Sequence, residues 1–330
     1  MRRDEIADDS QFVRPVVVLS RCLDLEPVRY NGQVIPYELV RELEPFVSFV
    51  PVCPELEVGL GVPRDPVRVV SVDGVARLLQ PDTGRDVTKE MRQFSHDFLS
   101  DLGPIDGIIL KSRSPSCGIS DVKIYQGLGP SAATTRGAGL FAERVLELHS
   151  GLAIEDEGRL LDYRIREHFL TKLFSLARLR AVENSGRMKE LVRFHSTNKL
   201  LLMAYNEKEM RALGRIVANA EKASFDDLAS DYREHFQAAL ARAPRCTSAI
   251  NVFEHAAGYF SNQLEGREKV LFRSMLDRYR NKQAPMAAVT AMLRAWIVRF
   301  EEDYLTAQTF FESYPAELMS VRDTGKGRDS

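Results

Sequence analysis

The chain has 330 residues and a formal net charge of −2, from 45 lysines and arginines against 47 aspartates and glutamates. Hydrophobic residues make up 44% and charged residues 28%, which is typical of a soluble globular protein of about two domains. The near-neutral charge argues against a general polyanion binder, although it allows a local basic face. No apolar run reaches about 18 residues and no apolar segment follows Arg2 and Arg3, so we expect no membrane span, no secretory signal and a cytoplasmic location.

Short apolar runs in the first third of the chain predict β-strands, namely Val16–Ser20, Phe46–Val50 and Gly107–Lys111. The helices predicted in this half are at about 36–43, 87–102 and 139–149. Asp73 and Gly74 predict a hairpin turn between two further strands. Strands that alternate with helices predict an α/β domain with a Rossmann-like layered sheet over residues 13–155, after a flexible N-terminus at 1–12.

The pattern changes in the second half, where apolar residues recur at helical spacing and strand signals almost disappear. The predicted helices are at about 160–182, 187–204, 207–222, 225–241, 247–264, 267–280 and 286–312. We therefore expect an all-α C-terminal domain over residues 156–318, followed by a disordered polar tail at 319–330.

Three cysteines stand just after the three predicted strands: Cys22, Cys53 and Cys117. If the strands are parallel neighbours, the thiols meet at one edge of the sheet, which is where open α/β folds place their sites. Three thiolates without a fourth indicate a metal centre with one open position. The alternatives are three buried small side chains or a zinc site, although zinc usually has CxxC pairs and none occurs here. Cys246, in the helical half, is interpreted as structural.

Two polar residues accompany the thiols. Glu55 lies two residues after Cys53 and is a candidate general acid or base at an open metal position. Ser114 lies three residues before Cys117 and is a candidate for hydrogen bonding to substrate or for assisting proton transfer. The alternative roles are a salt-bridged carboxylate for Glu55 and a turn cap for Ser114.

Several ordered motifs resemble the thiouracil desulfurase family: Ser20-Arg21-Cys22-Leu23, Arg29-Tyr30-Asn31-Gly32, Cys53-Pro54-Glu55, Val62-Pro63-Arg64, Asp86-Val87-Thr88 and Lys111-Ser112-Arg113-Ser114-Pro115-Ser116-Cys117-Gly118. The resemblance covers about residues 13–150. It departs from the family pattern at Arg21, where a small residue is usual, and at Val58, where the family commonly has a first glycine before Gly59.

This resemblance implies a [4Fe-4S] cluster bound by Cys22, Cys53 and Cys117, with a fourth iron that takes the thiocarbonyl sulfur. It implies that Glu55 and Ser114 assist water attack and proton transfer. The helical half contains Leu191-Val192-Arg193-Phe194-His195, Asn251-Val252 and Tyr304-Leu305-Thr306-Ala307-Gln308. In these motifs it resembles a domain found behind the desulfurase in proteins that remove sulfur from 4-thiouridine in tRNA, so the resemblance implies tRNA as the partner.

Local charge is compatible with RNA binding. Residues 187–215 carry more cations than acids, and Arg193, His195 and Lys199 are candidate phosphate contacts. Near the cysteines, the candidates are Arg64, Lys111 and Arg113. The alternatives are that the first group simply faces water and that the second neutralises the negative charge of the cluster. The aromatic residues available for base stacking are Tyr205, Tyr259 and Phe260, unless they belong to the core.

The leading hypothesis is thus an iron–sulfur desulfurase of 4-thiouridine in tRNA. A second hypothesis keeps the chemistry and replaces the substrate with free thiouracil or a thiolated nucleoside. A third, of another class, is a non-catalytic iron–sulfur sensor or RNA-binding regulator. The sequence does not define the oligomeric state.

Overall fold

The computed structural model describes residues 12–127, 134–220 and 222–319. The predicted flexible segment at 1–12 and the predicted tail at 319–330 lie outside the described residues, except for their innermost positions. The chain divides into two compact units. The first comprises the residues up to Ala177 together with those from Pro315 onward, and the second comprises Arg178–Tyr314.

The first unit contains nine described strands and four complete helices. The strands are β1 Val16–Ser20, β2 Ser48–Val52, β3 Arg68–Val72, β4 Val75–Gln80, β5 Arg85–Asp86, β6 Gly107–Leu110, β7 Val122–Tyr125, β8 Thr134–Gly137 and β9 Ala153–Asp156. The helices are α1 Glu38–Leu43, α2 Pro54–Glu57, α3 Thr88–Asp101 and α4 Leu140–His149. The predicted α/β architecture is confirmed.

The main sheet is parallel throughout, with the strand order β2-β1-β6-β9. Its central strand β1 is fully buried at Val17, Val18 and Leu19. Such continuous apolar runs are typical of a parallel sheet that is covered on both faces. Because β2, β1 and β6 are parallel neighbours, the predicted convergence of their carboxyl ends at one sheet edge is confirmed.

A second sheet has the order β5-β4-β3-β7-β8. The predicted hairpin at Asp73 and Gly74 joins β3 to β4, and both turn residues have positive φ angles, 53° and 79°. A turn with positive φ at both central positions matches the twist of the two strands, which is why Asp-Gly is favoured there.

One strand of this unit lies away from its predicted position, and two elements were not predicted. Strand β2 lies two residues later than predicted and contains Pro51, which an edge strand tolerates because it needs no ladder N–H on its outer side. Strand β9 was not predicted, because its half Glu155-Asp156 is acidic. The short helix α2, directly after Cys53, was not predicted either; it has Pro54 in its first turn.

The second unit is helical among its described residues, as predicted, and α5 runs into it from the first unit. The helices are α5 Tyr163–Ser185, α6 Met188–Thr197, α7 Lys199–Tyr205, α8 Glu207–Ala218, α9 Phe225–Ala239, α10 Cys246–Gly258, α11 Gly266–Arg280, α12 Met286–Phe300 and α13 Asp303–Thr306. Its core is rich in aromatic side chains, including Phe253, Phe260, Phe272, Trp296 and Phe310. None of the helices in the described ranges is long and apolar enough to cross a membrane.

Two predicted helices of this unit are each divided. The helix predicted at 187–204 breaks at Asn198, whose buried side chain donates a hydrogen bond to the carbonyl of Phe194 at 2.8 Å. The helix predicted at 286–312 stops at Phe300, because Glu301 takes a left-handed conformation with φ of 51°. A side chain that bonds the local backbone and a left-handed residue are both common helix endings.

Candidate active site

Three thiols line one cavity at the carboxyl edge of the parallel sheet. Cys22 follows β1, Cys53 directly follows β2 and precedes α2, and Cys117 lies in the loop after β6. All three line a cavity of about 320 Å³. None of the three is in a disulfide. The order of the strands in the sheet therefore brings together cysteines that are up to 95 positions apart in the sequence (22 to 117).

The thiols interact electrostatically across this cavity. Burial raises the pKa of Cys22 to about 12, and the charge of Cys53 adds to the rise. Burial also raises the pKa of Cys53 and, more strongly, that of Cys117, which Cys22 and Cys53 raise further. Each thiolate thus opposes ionisation of another, so the three sulfur atoms lie within range of mutual repulsion. A positively charged centre among them would favour the thiolate form of all three.

Three thiols are the type of donor that an iron–sulfur cluster takes. Among residues 12–127, 134–220 and 222–319, no three cysteine, histidine or acidic side chains lie close enough together to bind one metal ion. A zinc ion gathers its donors at about 2.0–2.3 Å around one centre. In an iron–sulfur cluster each thiolate binds a separate iron, so the sulfur atoms stand farther apart. Cys22, Cys53 and Cys117 are unbridged and line one cavity, with Cys53 and Cys117 buried and Cys22 half-buried, and thiols are the donor type that such a cluster takes.

Glu55 lies in the wall of the cavity and is held by Arg64. The Nε and Nη2 atoms of Arg64 donate to Oε2 of Glu55 at 2.9 and 2.7 Å. Nη1 of Arg64 donates to the carbonyls of Val28 and Gly61 at 3.0 and 2.9 Å. The Arg64 side chain is only 4% exposed and that of Glu55 13%. Arg64 is therefore a buried anchor for Glu55, and its donors are already satisfied within the protein.

The loop before Cys117 supplies two hydroxyl groups to the other oxygen of Glu55. The Ser116 hydroxyl donates to Oε1 of Glu55 at 2.9 Å, and that of Ser114 lies 3.4 Å from the same atom. Oγ of Ser114 also accepts from the backbone N–H of Cys117 at 3.1 Å. Ser114 therefore caps the loop that presents Cys117 and also contacts Glu55. Sequence reasoning missed Ser116, although it stands next to Cys117 in the motif.

Lys111 is fixed beside the cavity by a residue that the sequence did not single out. Its Nζ atom lies 2.5 Å from Oε1 of Glu157 and donates to the carbonyl of Ser112 at 2.8 Å. Glu157 also accepts from the backbone N–H and hydroxyl of Ser112, at 2.6 and 2.7 Å. The positive charge of Lys111 lowers the pKa of Cys22, opposing the effect of burial. This cation thus acts on the thiols from a fixed position.

Of the other predicted RNA contacts, one lines this cavity and three belong to the second unit. Arg113 lines the cavity, is 81% exposed and is 3.3 Å from Asp121. In the second unit, Arg193 and Lys199 are exposed. His195 is half-buried, with Nδ1 3.2 Å from the Tyr232 hydroxyl, and burial followed by the charge of Lys199 lowers its pKa.

The aromatic candidates differ in exposure. Phe260 is 1% exposed and belongs to the core, so it is not available for stacking. Tyr259 is 42% exposed, and its ring stacks on Tyr304 with centroids 5.5 Å apart. Tyr205 packs against the core of the second unit.

A parallel α/β sheet with a thiol-lined cavity and an anchored carboxylate at its carboxyl edge is typical of α/β enzymes, which place their sites at that edge. The 2-thiouracil desulfurase family matches residues 17–157. The "Uncharacterized protein YbbK" of Bacillus subtilis (strain 168) is 30% identical over 139 residues, covering 38% of this chain and 91% of that protein. The chain belongs to the 2-thiouracil desulfurase family, which confirms the predicted resemblance and the prediction of a desulfurase enzyme.

The second half also matches a family. "Protein of unknown function (DUF1722)" matches residues 199–315. The "Uncharacterized protein YbgA" of Escherichia coli (strain K12) is 26% identical over 164 residues, 49% of this chain and 96% of that protein.

Among solved structures, the [4Fe-4S]-dependent thiouracil desulfidase TudS is similar, at 28% identity and a TM-score of 0.35, covering 44% of this chain and 93% of that one.

Proposed function

We propose that this chain is an iron–sulfur-dependent desulfurase that removes sulfur from 4-thiouridine in tRNA and yields uridine. The observation that carries the proposal is the cavity in which Cys22, Cys53 and Cys117 converge beside an anchored Glu55. The three cysteines would hold a [4Fe-4S] cluster, which leaves one iron without a protein ligand. Bound there, the cluster would supply a Lewis-acidic iron for the soft sulfur of a thiocarbonyl group.

The reaction exchanges sulfur for oxygen without net oxidation or reduction. Water adds to the ring carbon of the C=S group and loses its protons, the C–S bond breaks, and a C=O group and hydrogen sulfide are the products. The protein must therefore take a proton from water and deliver protons to the departing sulfur. Both tasks require a group that faces the cavity and exchanges protons.

Glu55 is the group that we assign to this proton transfer. Arg64 fixes its Oε2 atom, and the hydroxyl of Ser116 fixes Oε1, so the carboxylate has one orientation. Ser114 shares Oε1 and offers a second hydroxyl within the same cavity. A carboxylate that is held by charged and neutral donors is ready to act on a bound water without first rearranging.

The fused second unit supports an RNA substrate. It presents exposed cations at Arg193 and Lys199 and an exposed aromatic ring at Tyr259. Phosphates attract such cations, and unstacked bases pack on such rings. Free thiouracil is the second candidate substrate, which the name of the family and the small volume of the thiol-lined cavity, about 320 Å³, favour.

Product analysis separates these substrates. The full chain, reconstituted with iron and sulfide without air, is incubated with thiolated tRNA, with 4-thiouridine and with 2-thiouracil. Nucleoside mass spectrometry and sulfide release give kcat/KM for each. We expect the highest value with thiolated tRNA, no turnover for Cys117→Ala and full turnover for the matched control Cys246→Ala. A higher value with free 2-thiouracil would assign the second candidate instead, and equal activity of Cys117→Ala would overturn the proposed site.

A further inference from the structure

A second cavity adjoins the thiol-lined cavity in the first unit. Its volume is about 240 Å³. The two cavities share parts of their walls, namely Pro66, Val67, Arg113 and Pro115. A molecule that places one group among the thiols therefore has an adjoining space for the atoms attached to that group.

Cations from three neighbouring strands line this second cavity. Lys123 of β7 is directly paired with Arg136 of β8. On the other side of β7, Val69 pairs with Ile124 in parallel register, which puts Arg68 of β3 level with Lys123. Arg68, Lys123 and Arg136 thus form one row across adjacent strands, which we call the cation row.

Such a row opposes the pairing of the strands, because like charges that face each other across a ladder repel. Within the described residues, few acidic side chains offset this repulsion. Arg68 lies over the ring of Tyr125, 5.1 Å from its centroid, and within those parts neither Arg68 nor Lys123 has an acidic partner. Among the described residues that line the cavity, the one carboxylate is Asp121, which pairs with Arg113 at 3.3 Å.

The charge of the cavity wall is accordingly positive. The described part of the wall has four cations and one carboxylate, a net charge of +3; the cations are Arg68, Arg113, Lys123 and Arg136. Arg136 donates through Nη1 to the backbone carbonyl of Asp121 at 2.6 Å, so its guanidinium has a fixed position. Like charges that the fold brings together beside the thiol-lined cavity favour an anionic ligand.

We infer that the cation row binds a phosphate group of the substrate whose thiolated base enters the thiol-lined cavity. This inference rests on the proposed function and adds a binding site to it. A phosphate contact orients the substrate without reading its sequence, while the cavity selects the base. The desulfurase unit itself, and not only the helical unit, then discriminates a phosphorylated substrate from a free base. The phosphate belongs either to a mononucleotide or to an RNA strand.

Direct binding tests the row independently of turnover. The full chain is titrated with a fluorescent uridine oligonucleotide at several salt concentrations, as wild type, as Arg68→Gln with Lys123→Gln, and as the control Lys89→Gln. Lys89 is exposed on α3 and lines neither cavity. We expect the double variant to bind about tenfold more weakly, with the salt slope reduced by about 1, and the control to bind like wild type. We expect the melting temperature of the double variant to stay at or above that of wild type, because the two substitutions relieve repulsion within the cation row.

Kinetics of the reconstituted enzyme identify the source of the phosphate. For the double variant we expect KM to rise about tenfold with an unchanged kcat, and no change with free 2-thiouracil. If KM rises with thiolated RNA alone, the cation row binds a phosphate of the RNA strand. If KM rises with 4-thiouridine monophosphate as well, the row binds the nucleotide's own phosphate. Unchanged oligonucleotide affinity together with unchanged KM, or an equal loss with free 2-thiouracil, would overturn the inference. If wild type desulfurates nothing, the proposed function fails, and the binding titration still decides on the row.

Discussion

Arg64 and Glu55 form a nearly buried ion pair in which two nitrogens of the guanidinium donate to a single carboxylate oxygen, at 2.7 and 2.9 Å. The third nitrogen of Arg64 is used by two backbone carbonyls of the surrounding loops. One side chain thus joins the carboxylate to the loops around the cysteine cavity. Replacement of this arginine therefore tests whether the orientation of Glu55 matters for catalysis.

Arg64→Lys keeps the charge and removes the planar arrangement of donors, so Glu55 loses its fixed orientation. We expect kcat to fall about 10²-fold, which is the lower range for a general acid or base, while KM and the iron content stay within about twofold. Steady-state kinetics with iron analysis of the same samples measure this. Unchanged kcat in a variant that folds normally would show that Glu55 needs no anchor.

The two serines of the Cys117 loop have separable effects. Ser114 caps the loop by accepting from the N–H of Cys117, whereas Ser116 only donates to Glu55. Ser114→Ala leaves that N–H without its acceptor, so we expect a loss of about 1 kcal/mol in the free energy of unfolding and a lower iron content. Ser116→Ala lowers kcat at normal iron content. Iron analysis and urea unfolding of both variants compare them, and identical effects of the two changes would contradict this division.

A buried glutamine joins the C-terminal part of the second unit to the break between α6 and α7. Gln308 is 3% exposed, accepts from the N–H of Leu200 at 3.0 Å and donates to the carbonyl of Ser196 at 2.9 Å. Gln308→Ala leaves both backbone groups without these partners, and we expect about 1–3 kcal/mol of destabilisation in urea. The exposed Gln283 is the matched control, and Gln283→Ala changes stability by less than about 0.5 kcal/mol. Equal stabilities of the two variants would contradict the prediction.

Histidine 168 makes stability depend on pH in a defined window. Burial, assisted by the charge of Lys172, lowers the pKa of His168 to about 4 from an ordinary value of 6.5. Between pH 6.5 and 4 the unfolded chain binds the proton and the folded chain does not, so acidification favours unfolding over that range. We expect the slope of unfolding free energy against pH in this window to be smaller for His168→Gln. The same slope in both proteins would contradict the assigned pKa.

The fold was largely predictable because its signals are local. Apolar runs and turn residues such as Asp73 and Gly74 act over a few positions, and they placed most strands and helices. Strand β9 was not predicted because half of it, Glu155 and Asp156, is acidic. It pairs with β6 at the edge of the sheet, where a strand needs less apolar character than in the centre. Asn198 ends a helix through its own side chain, which hydrophobic periodicity does not report.

Site residues that lie within a sequence motif were predictable. Site residues that are brought together only by tertiary contacts were not. The three cysteines follow predicted strands, so their convergence was predictable once those strands were taken as parallel neighbours. Glu157 reaches Lys111 across 46 positions of sequence, and Arg68 becomes level with Lys123 only through the pairing of β3 with β7. No spacing in the sequence connects such residues.

Iron and sulfide content, measured on the reconstituted full chain and its cysteine variants, tests the central claim most directly. A cluster held by Cys22, Cys53 and Cys117 predicts about four irons and four sulfides per chain in wild type and in Cys246→Ala. It predicts loss of most iron, together with loss of sulfide release from thiolated substrate, when any of the three cavity cysteines is replaced by alanine. Full iron content in Cys117→Ala, or desulfuration by a chain that lacks iron, would contradict the account.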